Sequence, residues 1–295
     1  MRDASWAEDD GFGPSFEILE PKELSTPLVF NSPHSGAKYP SRFLAISRLD
    51  PLTLRKSEDA FVDELIAPCV GLGGPLLRAH FPRAYLDANR EPYELDPQMF
   101  EERLPGFANT RSLRVAAGLG SIPRVVGEAQ PIYRLPLKVE EGLARIADLH
   151  VPYHAALDGL IERARQTFGF SILIDCHSMP SATPEVAGCD IVLGDRYGSS
   201  ASAWIVDTLE TSLRGSGLAV RRNKPYAGGY ITELHGRPAQ SKHAVQLEMN
   251  RGLYMDERNI LRLPSASKLA GAVFRAMEAL ADKTAVIKSN RLAAE

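Results

Sequence analysis

Two apolar segments of the chain are each followed by a histidine, and this pattern could support metal or acid–base chemistry. Residues 170–178 (FSILIDCHS) are typical of a strand buried on both faces that ends in polar residues, among them Asp175 and His177. Residues 27–32 form a second apolar strand, and His34 follows it. Because ligands bind at the carboxyl ends of strands in open α/β sheets, we expect the two histidines to lie at one site.

A carboxylate that could complete such a site stands in the next segment. Residues 57–71 are predicted to form a helix with Ser57 as its N-cap and with Glu58 and Asp59 in its first turn. Adjacent helical residues point about 100° apart, so at most one of the two carboxylates can face a given metal. With the two histidines, either carboxylate would give the ligand type of hydrolytic zinc sites, which keep one position open for water.

Further candidates follow two other strand-like segments. Residues 76–86 are predicted to form two short strands, after which Asn89 could orient a carbonyl group and Arg90 offers a fork of donors suited to a carboxylate. Residues 243–250 form another predicted strand, and Glu248 near its end is a candidate general base. A turn that pairs its own charges and a salt-bridged glutamate are the structural alternatives.

Several other chemistries lack their sequence signals. The chain has no G-x-S-x-G nucleophile elbow, no Walker A loop and no G-x-G-x-x-G fingerprint. Cys176 and His177 are adjacent on a predicted strand and so point to opposite faces, which argues against a thiol nucleophile activated by its neighbour. His150 and His154 have helical i, i+4 spacing without the H-E-x-x-H motif, and we interpret them as a packed or surface pair.

Composition sets outer limits on function. The 295 residues carry a net charge of -3, so no broad basic surface for nucleic acid or an anionic membrane is indicated. No apolar run approaches the length that spans a bilayer, and the acidic N-terminus lacks the apolar core of a secretory signal. Three cysteines without repeated spacing argue against a disulfide scaffold. These features predict a cytoplasmic protein of enzyme size.

The order of the predicted elements indicates an α/β fold around a parallel or mixed sheet. Residues 1–15 are predicted to be a flexible polar lead-in, and residues 16–285 a single catalytic domain. Residues 91–135 are rich in Pro, Gly and Arg and are interpreted as an insertion or lid. Residues 286–295 are predicted to be a polar tail.

Two longer helices are also predicted. Residues 136–169 have helical spacing, which Pro152 should kink or divide and Gly169 should end. Residues 265–281 are predicted to form an amphipathic helix, followed by a polar tail.

Five short motifs, spread over residues 27–260, occur in the same order as those of a known enzyme family. They are residues 32–36 (SPHSG), 87–90 (DANR), 175–178 (DCHS), 228–232 (GGYIT) and 243–248 (HAVQLE). In these motifs the chain resembles the N-formylglutamate amidohydrolase family. The resemblance implies a zinc-dependent amidohydrolase with a three-layer α/β/α fold, a central mixed sheet and a likeness to zinc carboxypeptidases and aspartoacylases.

The same resemblance implies a set of metal ligands. His34 and His177 would bind one Zn²⁺ per chain. The wider carboxypeptidase-like group has a Glu three residues after its first His, where this chain has Ala37, so the third ligand must come from elsewhere. Asp59 matches the acidic position of the family better than Glu58 does.

The resemblance also implies the catalytic groups and the substrate. Glu248 would be the general base for the attacking water. Arg90 and Asn89 would hold the carboxylate of the substrate or help to polarise the scissile carbonyl, and Arg90 is also expected to help to stabilise the oxyanion. The substrate would be a small N-acylated acidic amino acid, N-formyl-L-glutamate first. Its predicted contacts are Asn89, Arg134, Tyr230 and Arg251. The alternatives are a related zinc deacylase or carboxypeptidase acting on another N-acyl amino acid, or a non-catalytic binding protein of the same fold.

Overall fold

The computed structural model of the chain describes residues 11–127 and 129–292, with side chains described up to residue 286. These residues divide into two compact units, which we name the loop-rich unit and the sheet unit. The loop-rich unit comprises the described parts of Met1–Glu17, Pro33–Ala60 and Arg78–Ala156. The sheet unit comprises the described parts of Ile18–Ser32, Phe61–Leu77 and Leu157–Glu295.

The strands belong to one large sheet and two small ribbons. In chain order they are β1 Phe16–Leu19, β2 Leu28–Ser32, β3 Leu76–Ala79, β4 Val125–Val126, β5 Gln130–Pro131, β6 Ser171–Met179, β7 Ile191–Gly194, β8 Val220–Arg222, β9 Lys242–Asn250, β10 Met255–Asp256 and β11 Leu261–Arg262. The large sheet has the order β1-β3-β2-β6-β9-β7-β8. Strands β2, β6 and β9 are parallel neighbours, whereas β7 runs antiparallel to β9, so the sheet is mixed.

The helices are mostly short outside the sheet unit. They are α1 Ser41–Ile46, α2 Pro51–Arg55, α3 Val62–Ile66, α4 Leu113–Ala116, α5 Val139–Arg145, α6 Val151–Phe168, α7 Ala203–Gly215, α8 Tyr230–His235 and α9 Ala266–Leu292. Short 3-10 helices occupy Ala67–Leu72, Pro97–Met99, Pro184–Val186, Pro238–Gln240 and Arg251–Leu253, and a π-helical turn occupies Ile146–His150. Within the described part of the chain, none of these helices combines the length and the apolar character needed to cross a bilayer.

Strand β6 lies near the middle of the large sheet, and its burial explains its sequence. All nine of its residues are buried, which confirms the predicted strand with two covered faces. The strand runs to Met179, so Asp175 and His177 lie within it rather than beyond its end. Their polar side chains are therefore held by a hydrogen-bonded strand and not by a loop.

Helices cover both faces of the large sheet within the sheet unit. Helix α3 packs on β2 and β6 and contacts α9, which in turn packs on α7, whereas α8 packs on β6 and β9. Cys176 of β6 interacts with Cys69, just after α3, and the adjacent Asp175 interacts with His235 of α8. Because adjacent strand residues point to opposite faces, α3 and α8 lie on opposite faces. This arrangement confirms the predicted three-layer α/β/α fold.

The helix predicted over residues 57–71 begins later than its sequence suggests. Helix α3 starts at Val62, and the following residues continue as the 3-10 helix Ala67–Leu72. Phe61, at the N-cap position, has a left-handed backbone with φ of 67°. This conformation interrupts any right-handed helix that enters from Ser57, so Glu58 and Asp59 precede the helix instead of forming its first turn.

Two further element predictions differ from the structure. Only one strand, β3, forms within residues 76–86, because the chain then turns at Pro82, whose carbonyl accepts from the amide of Tyr85 at 2.9 Å. The C-terminal helix α9 continues to Leu292, well past the predicted end at Ala281.

The helix predicted over residues 136–169 is divided by a change of helix type. Helices α5 and α6 are joined by the π-helical turn Ile146–His150, and Pro152 is the second residue of α6. Proline cannot donate an amide hydrogen bond, and a wider turn just before it accommodates the missing bond. Gly169 follows α6 with φ of 81°, the left-handed conformation that ends many helices, as predicted.

His235 of α8 is expected to make the stability of the fold depend on pH. Burial lowers the pKa of His235 to about 4, against the opposing effect of Asp158 and Asp175. The unfolded chain has the ordinary histidine pKa of about 6.5 and so binds more protons between these values, and stability is full above pH ~6.5 and falls towards pH 4.

We therefore expect the wild type to lose about 2 kcal/mol more unfolding free energy than His235→Gln between pH 7 and pH 4.5. Urea unfolding of both proteins at the two pH values measures this difference. Equal losses in the two proteins would contradict it.

Candidate active site

His34 lies just after β2, in a loop that a glycine allows to pack closely. A Cβ atom at Gly36 would lie only 2.1 Å from the carbonyl oxygen of Phe81, so only glycine fits there. The carbonyl of His34 accepts from the amide of Asp59 at 2.9 Å, and the Ser35 hydroxyl donates to the carbonyl of Asp59 at 3.1 Å. These two bonds hold His34 and Asp59 together.

The side chains of the same pair also meet, and this separates the two candidate carboxylates. Nδ1 of His34 lies 3.3 Å from Oδ2 of Asp59. Glu58, in contrast, accepts from the Tyr39 hydroxyl at 2.7 Å and from Nε of Arg55 at 3.1 Å. The structure thus places Asp59, and not Glu58, beside His34, and both carboxylates are buried.

The other ring nitrogen of His34 faces a third carboxylate. Nε2 of His34 lies 2.7 Å from Oδ1 of Asp87. An ionised carboxylate can only accept, so Nε2 carries the hydrogen, and a neutral His34 then presents the lone pair of Nδ1 towards Asp59. Two acceptor atoms 3.3 Å apart fit a cation that binds both of them.

Asp87 is kept ionised by its neighbours. Burial alone would raise the pKa of Asp87, but Arg83, Arg90 and His34 hold this pKa well below its ordinary value. Nε of Arg83 donates to Oδ2 of Asp87 at 3.0 Å, and a nitrogen of Arg90 lies 3.7 Å from the same oxygen. Asp87 is therefore a fixed negative charge behind His34.

The turn that follows Asp87 is held by a pair of histidines. Nε2 of His150 lies 2.9 Å from the carbonyl oxygen of Arg90, and Nε2 of His154 lies 2.8 Å from that of Ala88. The two rings stack with their centres 4.3 Å apart. His150 and His154 are thus a buried, packed pair, which is one of the two arrangements predicted from their spacing. They fix the turn that carries Asn89.

Asn89 and Arg90 are both held within the loop-rich unit. The amide of Asn89 donates to Oδ1 of Asp87 at 2.9 Å, and the residue is buried. Arg90 donates through Nε to the carbonyl of Leu119 at 2.9 Å and through a terminal nitrogen to the carbonyl of Asn89 at 2.8 Å. Burial lowers the pKa of Arg90, and the guanidinium still remains charged at neutral pH.

The sheet unit carries His177 and Glu248 side by side. They are register partners on the parallel strands β6 and β9, and both are buried. Nε2 of His177 lies 3.0 Å from Oδ2 of Asp175, whose Oδ1 accepts from the amide of Asn31 at 2.8 Å. A carboxylate oxygen thus lies close to Nε2 of His177 but accepts no hydrogen bond from the described residues, whereas Nε2 of His34 is hydrogen-bonded to Asp87.

The remaining predicted contacts are more scattered. Arg251 follows β9 and is buried, and its Nε donates to the Ser178 hydroxyl at 3.0 Å. Tyr230 is half-buried at the start of α8. Arg134 is exposed and donates through Nε to the carbonyl of Ser47 at 2.7 Å. The first two lie in the sheet unit, whereas Arg134 is tied to the end of α1.

Three of the predicted residues form a group that could hold a metal ion. His34, Asp59 and His177 each offer one ligand atom, and these atoms all lie within 4.8 Å of one another. All three residues are buried. Two histidines and a carboxylate are the donor set of hydrolytic metal sites, and the hydrogen-bonding roles at His34 agree with it.

The family of the chain follows from its similarity to known proteins. The model of the N-formylglutamate amidohydrolase family matches residues 26–255, which is more than half of the chain. The chain belongs to this family. The resemblance seen in the five motifs is therefore confirmed, and the chain is a hydrolase that acts on an amide.

Individual relatives agree with this assignment. The crystal structure of N-formylglutamate amidohydrolase from Ralstonia eutropha JMP134 is 36% identical, with a TM-score of 0.86 over 92% of this chain and 98% of that one. N-formylglutamate deformylase from Pseudomonas aeruginosa is 27% identical over 248 residues, which are 82% of this chain and 87% of the relative. A gene product of Agrobacterium tumefaciens shares the fold at 19% identity, with a TM-score of 0.63 over 92% of this chain and 96% of that one.

Three further polar residues, which have no role predicted from the sequence, lie beside the candidate site residues. Asp87 and Asp175 stand behind the two histidines, and Gln246 donates to Glu248 at 2.8 Å. Asp175 and Gln246 each precede a predicted site residue by two positions on the same strand. A period of two places such residues on one face, and this was the signal that could have identified them.

Cys176 is expected to be irrelevant to amide hydrolysis. Burial raises the pKa of the Cys176 thiol well above its ordinary range, and Asp175 adds to this effect. We expect Cys176→Ala to leave kcat/KM for an amide substrate unchanged within a factor of about three. A steady-state comparison with the wild type measures this. A large loss of kcat with the fold and metal content unchanged would assign the thiol a role.

Proposed function

We propose that the protein is a zinc-dependent N-formylglutamate deformylase, which converts N-formyl-L-glutamate and water into L-glutamate and formate. The observation that carries this proposal is the group of His34, Asp59 and His177 in a chain of the N-formylglutamate amidohydrolase family. The relatives from Ralstonia and Pseudomonas support the substrate, since both are named for N-formylglutamate.

The proposed ligands fit zinc by their chemistry. Imidazole nitrogens and carboxylate oxygens are zinc ligands, and three protein ligands leave a position open for catalysis. With zinc bound, these ligands would form a site that supplies Lewis-acid polarisation of the formyl carbonyl. Asp87 would orient His34 through its hydrogen bond, as carboxylates commonly do behind metal-bound histidines, and Asp175 lies 3.0 Å behind His177.

Glu248 is the proposed general base. The carboxylate would accept a proton from the attacking water as the water oxygen bonds to the formyl carbon. The same proton would then pass to the amide nitrogen while the carbon–nitrogen bond breaks, so that glutamate leaves with a neutral amino group. The position of Glu248 beside His177 on adjacent parallel strands supports this role.

Cationic and amide groups are the proposed contacts to the substrate. Arg90 would stabilise the oxyanion of the tetrahedral intermediate, and Asn89 would orient the formyl group. The two carboxylates of the substrate call for at least two anchors, and Arg251, Arg134 and Tyr230 are proposed for them. Arg251 is buried and preoriented by Ser178, which supports it most among these three.

Formate release is the direct test of this function. Protein loaded with zinc and protein stripped by a chelator would be compared on N-formyl-L-glutamate. We expect formate release that depends on zinc, and weaker activity on N-acetyl-L-glutamate and N-formyl-L-alanine, which each change one part of the substrate. No formate release from zinc-loaded protein would refute the proposed substrate.

A further inference from the structure

Four polar residues form two rows on one face of β6 and β9. Asp175 pairs in register with Gln246, and His177 pairs with Glu248. Because strand residues two apart point to the same face, the four side chains share that face. The row of His177 and Glu248 carries the proposed chemistry, whereas the row of Asp175 and Gln246 lies directly behind it.

Gln246 makes one hydrogen bond on each side of its amide group. Its Oε1 accepts from the amide of Gly229 at 2.7 Å, and its Nε2 donates to Oε1 of Glu248 at 2.8 Å. The N–H of Gly229 can only donate, so it must face the oxygen of Gln246, and the NH₂ group must face Glu248. Gln246 is buried, so this orientation is fixed by the protein.

The segment that carries the Gly229 amide is itself held close to the sheet. Gly194 of β7 pairs in register with Gln246, and a Cβ atom at Gly194 would lie within 2.9 Å of the backbone of Ala227 and Gly228. Because glycine lacks that atom, residues 227–228 can approach β7 closely. The carbonyl of Ala227 also accepts from the amide of Arg196 at 2.7 Å.

We propose that Gln246 is a positioning residue that transmits the fixed position of the Gly229 amide to the carboxylate of Glu248. With Oε1 held by a donor, rotation of the Glu248 carboxylate is restricted, and the general base is kept aligned with the attacking water. This inference rests on the proposed function, in which Glu248 is the base. It also assigns a role to the Gly-Gly-Tyr motif, whose backbone acts through Gln246.

Two substitutions separate this role from simple support of the loop. Gln246→Met keeps the length of the side chain and removes both hydrogen bonds. Arg196→Met removes a side-chain hydrogen bond to the Gly228 carbonyl at 3.4 Å, and it leaves the bonds from Gly229 to Gln246 and from Gln246 to Glu248 in place. A hydrogen bond to a charged group is worth about a 10- to 100-fold effect, so we expect kcat of Gln246→Met to fall by that factor with KM nearly unchanged.

The control variant is expected to keep its activity. Arg196→Met should keep kcat within a factor of about three of the wild type. A normal kcat in Gln246→Met, or an equal loss of kcat in Arg196→Met, would overturn the proposal. A rise in KM alone would also overturn it, because a misaligned base lowers kcat.

A second measurement does not depend on turnover. In ¹H–¹⁵N spectra, the side-chain amide of Gln246 is identified by its loss in Gln246→Met. We expect its protons to exchange with solvent about tenfold faster in Glu248→Ala than in wild type. Unchanged exchange would refute the hydrogen bond, whereas absence of formate release by wild-type protein would refute the proposed function alone.

Discussion

Replacing Glu248 by glutamine is expected to lower kcat for N-formyl-L-glutamate by about a thousandfold while metal content stays at the wild-type level. The substitution keeps the shape of the side chain and can still accept from Gln246, but it removes the basicity that a proton acceptor needs. Glu248 is outside the group of His34, Asp59 and His177, so its loss should not weaken metal binding. Metal analysis and steady-state kinetics on the same preparation measure both effects.

Two further variants serve as controls for this prediction. His177→Ala should lose both turnover and metal, because it removes a member of the ligand group. Glu257→Gln changes a half-buried carboxylate that accepts from the backbone of Ser181 at 3.0 Å, and it should change neither. A Glu248→Gln protein with near-normal kcat would remove Glu248 as the base, and one with lost metal would place Glu248 among the ligands.

The sequence predicts those parts of the site that lie on strands, because buried and alternating apolar residues mark a strand over a few positions. The nearly continuous apolar residues of β6 and the alternation in β9 follow from burial on two faces and from the strand period of two. These patterns are sufficient to place His177 and Glu248 on strands of one sheet. The order of the motifs then gives the family. Residues 175–178 and 243–248 lie within β6 and β9, and residues 228–232 lead into α8.

The contacts that the sequence does not predict join distant residues. His34 and Asp87 are 53 positions apart, and no local pattern encodes the bond between them. The choice between Glu58 and Asp59 also depends on tertiary contacts. Local preferences favour a helix that starts at Ser57, but the left-handed backbone of Phe61 prevents it. Glu58 instead accepts a hydrogen bond from the Tyr39 hydroxyl.

The carboxylate of Asp87 stabilises three groups at once. It accepts from His34, from the amide of Asn89 and from Arg83, and Arg90 lies beside it. Removal of its charge would leave two partly buried guanidinium groups without their common counter-ion. It would also weaken the acceptor that holds the ring of His34 and raises the basicity of the opposite nitrogen.

Replacing Asp87 by asparagine is therefore expected to lower the unfolding free energy by about 3 kcal/mol and the affinity for zinc by about 10- to 100-fold. Urea unfolding measures the first effect, and competition with a chromogenic chelator measures the second. Asp96→Asn is the matched control, since Asp96 is a buried aspartate of the same unit whose Oδ2 accepts from Arg124 at 2.7 Å. It should destabilise the fold without changing zinc affinity. Equal zinc affinities in the two variants would show that Asp87 serves the fold alone, because its charge would then have no effect on the histidine in front of it.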